Sequence, residues 1–156
     1  MVYGETNASI SNLPIGTYTV TVTDNNGCVE VSTQIITEPP AMTSQIANIT
    51  NVSCYLGNDG TALLNINGGT LPYSYNWSPA GGNGNPGVGF SEGTYYVTIT
   101  DVNYCTAYDT VTITQPEELI SSITEHTDAS CFGLSDGSAV SEAEGGTLPY
   151  YFNWNT

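Results

Sequence analysis

Along much of the chain, apolar and hydroxyl-bearing side chains take turns residue by residue, as they do on a strand with one buried face. Tyr95, Val97 and Ile99 fall on one side of such a segment, and Tyr96, Thr98 and Thr100 on the other. Tyr18, Val20 and Val22 stand against Thr17, Thr19 and Thr21 in the same way. Tyr73, Tyr75 and Trp77 alternate with Ser74, Asn76 and Ser78, and Tyr150, Phe152 and Trp154 keep that spacing later on. Ala62, Leu64 and Ile66 form a further inward set, thinner where Ala139, Ser141 and Ala143 replace them. Val111 and Ile113 predict a closing strand, and Ile46 to Ile49 an opening one. Asn25-Asn26-Gly27 and Asn58-Asp59-Gly60 supply residues that tolerate positive φ in turns. The glycine-rich run from Gly81 to Gly89 reads as a loop, and no segment requires a helix.

These strands recur. Gly16-Thr-Tyr-Thr-Val-Thr-Val-Thr-Asp24 returns as Gly93-Thr-Tyr-Tyr-Val-Thr-Ile-Thr-Asp101, 77 residues on. The same offset carries Cys28 to Cys105, Pro39 to Pro116, Cys54 to Cys131, Asp59 to Asp136 and Trp77 to Trp154. Of 24 aligned positions from Gly16 to Pro39, 13 are identical, as are 12 of 24 from Cys54 to Trp77. With no insertion between these matches, the chain is a tandem repeat in which structure belongs to the repeating unit. Residues 40–116 are expected to form one complete repeat, with residues 1–39 the back half of a preceding copy and 117–156 the front half of a following one. About six to eight short strands in 77 residues, with proline at each junction, predict an all-β chain of tandem immunoglobulin-like sandwiches, truncated at both ends.

Composition narrows the function. The 156 residues include 15 Asp plus Glu, one His and neither Lys nor Arg, for a formal charge of -15. Nucleic-acid binding is excluded, because nothing neutralises phosphates. Lysine-dependent P-loop or Schiff-base chemistry and arginine clamps are excluded on the same ground. Anionic membrane surfaces would repel the chain, and no apolar run approaches the ~20 residues of a spanning helix, so no membrane insertion is expected. The surface is left to hydroxyls and amides, from 22 Thr and 15 Asn. The charge is spread along the period, -4 before Pro40, -4 from Pro40 to Pro116 and -7 after, so neighbouring repeats carry like sign.

The block Cys54-x-x-Gly-Asn-Asp-Gly-Thr-Ala, then Gly68-Gly-Thr-Leu-Pro-Tyr-Ser-Tyr-Asn-Trp77, Gly93-Thr-Tyr-x-Val-Thr-Ile-Thr-Asp-x-x-x-Cys105 and Thr112-Ile-Thr-Gln-Pro116, closely resembles the SprB repeat. That family occurs in very large cell-surface adhesins of gliding and related Bacteroidota. The later copy departs from the pattern with Glu142 and Glu144 in its second strand and with its glycine shifted to Gly133. The resemblance implies an extracellular adhesin stalk at the cell surface, exported by type IX secretion and, in gliding members, moved by the motility machinery. Its partners would be neighbouring repeats and an external surface or glycan. Two alternatives stand beside it: a module in which each repeat binds a glycan, and a self-assembling surface filament joined by strand complementation between half-repeats.

Particular residues carry these expectations. Two cysteines per repeat in a cation-free chain point to disulfides. Pairing Cys54 with Cys105 would close one repeat, and pairing Cys28 with Cys54 and Cys105 with Cys131 would staple successive ones. Asp24, Asp59, Asp101 and Asp136 recur at turn ends, where capping by side-chain oxygens is the favoured reading and Ca²⁺ binding the alternative, so no other cofactor is expected. Zinc is not expected, since no closely spaced cysteine pair exists and His126 stands alone. Tyr73, Tyr75, Trp77 and Tyr95 are expected in the core, with Tyr96, Tyr104 and Tyr108 outward and free to touch a neighbour or a surface. Asp109-Thr110-Val111 resembles the O-glycosylation motif of that phylum, which makes Thr110 a candidate acceptor. No nucleophile, base and stabiliser set can be assembled, so enzyme activity is not expected.

Overall fold

A computed structural model describes residues 7–155. Ten strands, and no helix among the described residues, make the chain all-β. It divides into two compact units, Met1–Pro40 and Ala41–Thr156. The first holds one antiparallel hairpin, β1 (Gly16–Thr23) with β2 (Val29–Ile36), turning through Gly27 at φ 82°.

In the second unit, β3 (Thr43–Thr50), β4 (Gly60–Asn67) and β6 (Gly87–Phe90) form one sheet, in that order. A second sheet has the order β5 (Ser74–Ser78), β7 (Gly93–Thr100) and β8 (Thr106–Ile113). A further hairpin pairs β9 (Ile120–Thr127) with β10 (Ser138–Glu144). All pairings are antiparallel, and the chain changes sheet between β4 and β5, β5 and β6, and β6 and β7. The six strands β3 to β8 match the expected number for one repeat.

One core lies between the two three-stranded sheets. Ala62 and Leu64 from β4 and Phe90 from β6 meet Trp77 from β5, Tyr95, Val97 and Ile99 from β7, and Val111 and Ile113 from β8. Within β4 to β8 the alternation read from the sequence holds, with Tyr73 and Tyr75 packed partly buried against this cluster, whereas Tyr150, Phe152 and Trp154 lie in no strand and the last two are exposed. Trp77 and Phe90 meet edge to face with ring centroids 5.3 Å apart, and Phe90 and Tyr95 lie tilted at 4.3 Å. Such aromatic contacts add to the burial of large apolar area. The Tyr95 hydroxyl turns back to donate to the carbonyl of Ser91, at 3.1 Å, and Tyr18 does the same to Pro14, at 2.9 Å. Immunoglobulin-like sandwiches also use such a tyrosine corner.

The glycine-rich run differs from the expected loop, because it contains β6. Phe90 is wholly buried and anchors the segment. The glycines beside it are set by close approach: a Cβ on Gly81 would lie 2.2 Å from Phe90 Cε1, and one on Gly87 2.6 Å from Trp77 Cε2. Trp77 Nε1 donates to the carbonyl of Gly84, at 2.9 Å. Where the β4–β6 pairing stops at Ala62 opposite Gly87, the Asn85 side chain takes over. Its Oδ1 accepts the N–H of Leu64 and its Nδ2 donates to the carbonyl of Leu64, both at 2.9 Å, as a paired strand residue would.

Asn85→Ala should leave both backbone groups of Leu64 without these partners, at a cost of about 1–3 kcal/mol in unfolding free energy. Tyr96→Ala, on the outward face, should stay within about 0.5 kcal/mol. Denaturant titration of the two variants distinguishes a structured glycine-rich segment from a passive loop, for which both would be neutral.

Candidate functional site

The recurring aspartates come first, because they organise both ends of the repeat. In the β7–β8 turn, Asp101 Oδ1 accepts the N–H groups of Asn103 and Cys105, at 2.8 and 2.9 Å. Its Oδ2 reaches across to the N–H of Thr70, at 2.9 Å, in the β4–β5 connection. Asn103 Nδ2 adds a bond to Thr70 Oγ1, at 3.1 Å, so two connections are tied together. Asp101 is the one buried charged residue of the described chain. Burial pushes its carboxyl pKa up, but the N–H donors of Cys105, Thr70 and Asn103 outweigh that and hold it below the ordinary 3.8. Asp24 repeats the turn, accepting from Asn26 and Cys28, both at 2.8 Å, and the Cys28 N–H is the main cause of its lowered pKa.

At the opposite end, Asp59 Oδ1 accepts the N–H of Ser53, at 2.9 Å, and Asp136 accepts that of Ser130, at 3.0 Å. The pKa of each is lowered, first by the serine side chain and then by the serine backbone. Leu56 N–H donates to Gln115 Oε1, at 2.7 Å, and Thr114 N–H to Asn51 Oδ1, at 3.1 Å, so this end clasps the last residues of the repeat. All four aspartates thus act as turn caps through acceptor oxygens. Among the described residues, no three His, Cys, Asp or Glu side chains gather as a metal-binding group.

The cysteines depart from the expected pairing. Cys28, Cys54, Cys105 and Cys131 are free and exposed, and none is bonded to another. The physical reason for Cys54 and Cys105 is their placement. Cys105 lies just before β8, four residues ahead of Asp109, whose Oδ2 accepts from Ser44 Oγ near the start of β3 at 2.9 Å. Cys54 lies past the end of β3, where Val52 N–H donates to the carbonyl of Thr114 at 3.0 Å, beyond the end of β8. The eight residues of β8 separate the two, about 26 Å at 3.3 Å per residue. A disulfide needs Cα atoms about 4.4–6.8 Å apart. Cys105 and Cys131 are likewise not bonded to each other.

The outer face of the second sheet gathers the remaining candidates. Tyr96 stands opposite Thr110 and Ser78, and Tyr108 opposite Thr98, which in turn faces Asn76. Thr94 and Thr112 complete a row, their hydroxyls 3.3 Å apart. Tyr96 and Tyr108 are 59% and 71% exposed, on a face made of hydroxyls and one amide with no charged side chain. Tyr104, at φ 65°, projects from the β7–β8 turn, and Thr110 is exposed. Sequence periodicity placed these residues outward. It gave no sign of Asn85, since residues 1–15, which align with 78–92, share little with them, nor of the Gln115 and Asn51 clasps, whose counterparts are Glu38 and Asp128.

Two predictions follow from this geometry. Because the Asp101 pKa is lowered on folding, its carboxylate stabilises the fold at every pH above 3.8, and that contribution is lost as pH falls through the depressed value. Asp101→Asn should lower the melting temperature at pH 7, and the gap from the parent chain should narrow as the pH drops below 3.8; a gap constant across pH would contradict it. Peptide mapping without reductant should find no Cys54–Cys105 cross-link, and Cys54→Ser with Cys105→Ser should leave the melting temperature unchanged within about 2 °C, a shift well under 1 kcal/mol.

Comparison with curated proteins and with solved structures gave no match. The family model of the SprB repeat matches residues 46–82 and 123–156. Each match runs from within the first strand of a repeat through the aspartate-capped end loop and the second strand to the Gly-Gly-Thr-Leu-Pro-Tyr segment and its tryptophan. The two stretches begin one repeat length apart, and at both of them the sequence matches the SprB-repeat family.

Proposed function

We propose that this chain is a structural and adhesive segment of an extracellular stalk on a bacterial surface protein. The observation that carries the reading is the SprB-repeat match at two places one period apart, in a family typical of cell-surface proteins. The fold supports it. A repeat that begins at one end of its sandwich and finishes at the other can be joined to further copies without rearrangement, so length accrues by repetition. The aspartate-capped turns and the cation-free surface suit a solvated stalk whose copies repel mildly and stay extended. Adhesion then falls to the uncharged outer face around Tyr96 and Tyr108, whose threonine row recurs as Thr17, Thr21 and Thr33 in the preceding copy, so that weak contacts along the array sum to avidity. Export by type IX secretion and a part in gliding belong to the same reading, by resemblance.

Antibodies raised against this chain should label intact, unpermeabilised cells of the source bacterium, and brief external protease should remove the signal; an antigen protected until lysis would overturn the surface assignment. The glycan-binding alternative rests on the exposed tyrosines. Immobilised chain should retain neutral polysaccharide, and Tyr96→Ser with Tyr108→Ser should cut retention at least about tenfold, a loss of ~1.4 kcal/mol or more. Retention unchanged by the pair would leave the chain a spacer.

A further inference from the structure

The complete repeat is joined to the rest of the chain through β3 at one end of its sandwich and β8 at the other. Pro40 precedes the first and Pro116 follows the second, so sequence runs on from both. The two strands belong to different sheets, yet they are bonded to each other directly. In the first half of each, the Ser44 hydroxyl donates to Asp109 Oδ2 at 2.9 Å, and both residues are half-buried. Past their ends the bonds gather. Val52 N–H donates to the carbonyl of Thr114 at 3.0 Å, Thr114 N–H to Asn51 Oδ1 at 3.1 Å, and Leu56 N–H to Gln115 Oε1 at 2.7 Å. First half meets first half and end meets end, so β3 and β8 run parallel. Val52 is 4% exposed and Ile113 wholly buried, and both belong to the core, which shields the inner side of this contact from water.

We propose that the β3–β8 contact is a shear clamp, the element through which a repeat carries tension along the stalk. A pull on a tandem array enters at the start of β3 and leaves at the end of β8, in opposite directions. Antiparallel neighbours would have their free ends at the same end of the sandwich, and such a pull would part their bonds one at a time. Parallel strands must instead slide past each other, which strains all the cross-bonds together. The bonds are densest between residues 51–56 and 114–115, where tension passes out through Pro116. The clamp also suits a chain without cations. Asn51 and Gln115 use only an acceptor oxygen in it, and their counterparts Asp128 and Glu38 keep one. Ser44 and Asp109 are matched by two hydroxyls, Ser121 and Ser32. The inference deepens the stalk reading and rests on it for the source of the tension.

Constant-force extension of single molecules of the full chain, held by their two termini, tests this. Unfolding of the complete repeat is recognised by a length gain of about 22 nm, the extended length of residues 43–113 less their folded span. Asn51→Ala with Gln115→Ala should raise the rate of that step at least about tenfold, and Ser44→Ala about threefold, because an unfolding rate responds to the contacts broken at its transition state. Asn85→Ala removes bonds on the β6 side of β4, away from β3 and β8. It should leave the rate under force within about twofold of the parent's, although it lowers the denaturant midpoint. The length gain itself reports that the repeat was folded before each pull. Clamp variants that unfold under force as slowly as the parent overturn the proposal. So do rates that follow equilibrium stability, with Asn85→Ala accelerated as much as the clamp variants. Neither result alters cell-surface labelling, so the location of the stalk and the presence of its clamp fail separately.

Discussion

With neither Lys nor Arg in the sequence, no carboxylate here can pair with a lysine ammonium or an arginine guanidinium, and the local architecture is built around that constraint. A buried charge must be compensated or it costs several kcal/mol. Here the compensation is backbone N–H. Asp101 takes three such donors from two separate connections, and in doing so fixes how those connections lie against each other. Asp59 and Asp136 use a serine in the same way at the other end. An ion pair would give attraction over a distance and tolerate loose geometry. Hydrogen bonds to a carboxylate are short and directional, so the same compensation also specifies turn shape. The turns of one repeat and the next are alike because the acid that organises them recurs.

The core depends on a different close fit, between three aromatic rings and two glycines. Phe90 lies between Trp77 and Tyr95, and its seat exists because Gly81 and Gly87 carry no Cβ. Removing side chains from the backbone at those points lets a four-residue strand sit close over the tryptophan. The second sheet keeps its inner surface for packing and its outer surface for hydroxyls. One segment therefore supplies both the interior of a stable unit and an uncharged exterior.

Strand alternation was legible in the sequence because each strand buries one face only, so Tyr95, Val97 and Ile99 announce themselves against Tyr96, Thr98 and Thr100. The period added what a single copy could not, since a turn seen twice at Asp24 and Asp101 is structure and not coincidence. β6 escaped because its apolar content is Val88 and Phe90 among glycines, and a four-residue strand leaves no alternation to count. Asn85 escaped for a related reason: its amide acts on the backbone of Leu64, and backbone hydrogen bonding leaves no trace in side-chain pattern. The cysteines misled because a shared period says that two residues recur together, not that they lie together. Cys54 and Cys105 recur faithfully at opposite ends of a strand-length separation.

The Asn85 amide has a further consequence for a protein made of similar repeats. β4 is paired along its length with β3 on one side but with β6 over only three residues on the other, from Gly60 to Ala62. Open strand edges in adjacent copies of the same sequence are at very high local concentration, the condition under which neighbouring domains exchange strands and misassemble. By occupying both the N–H and the carbonyl of Leu64, a single side chain stoppers that edge where β6 gives out. In this repeat it withholds that edge from a neighbour's strands; the preceding copy carries Ala8 at the aligned position, so the protection belongs to this sandwich.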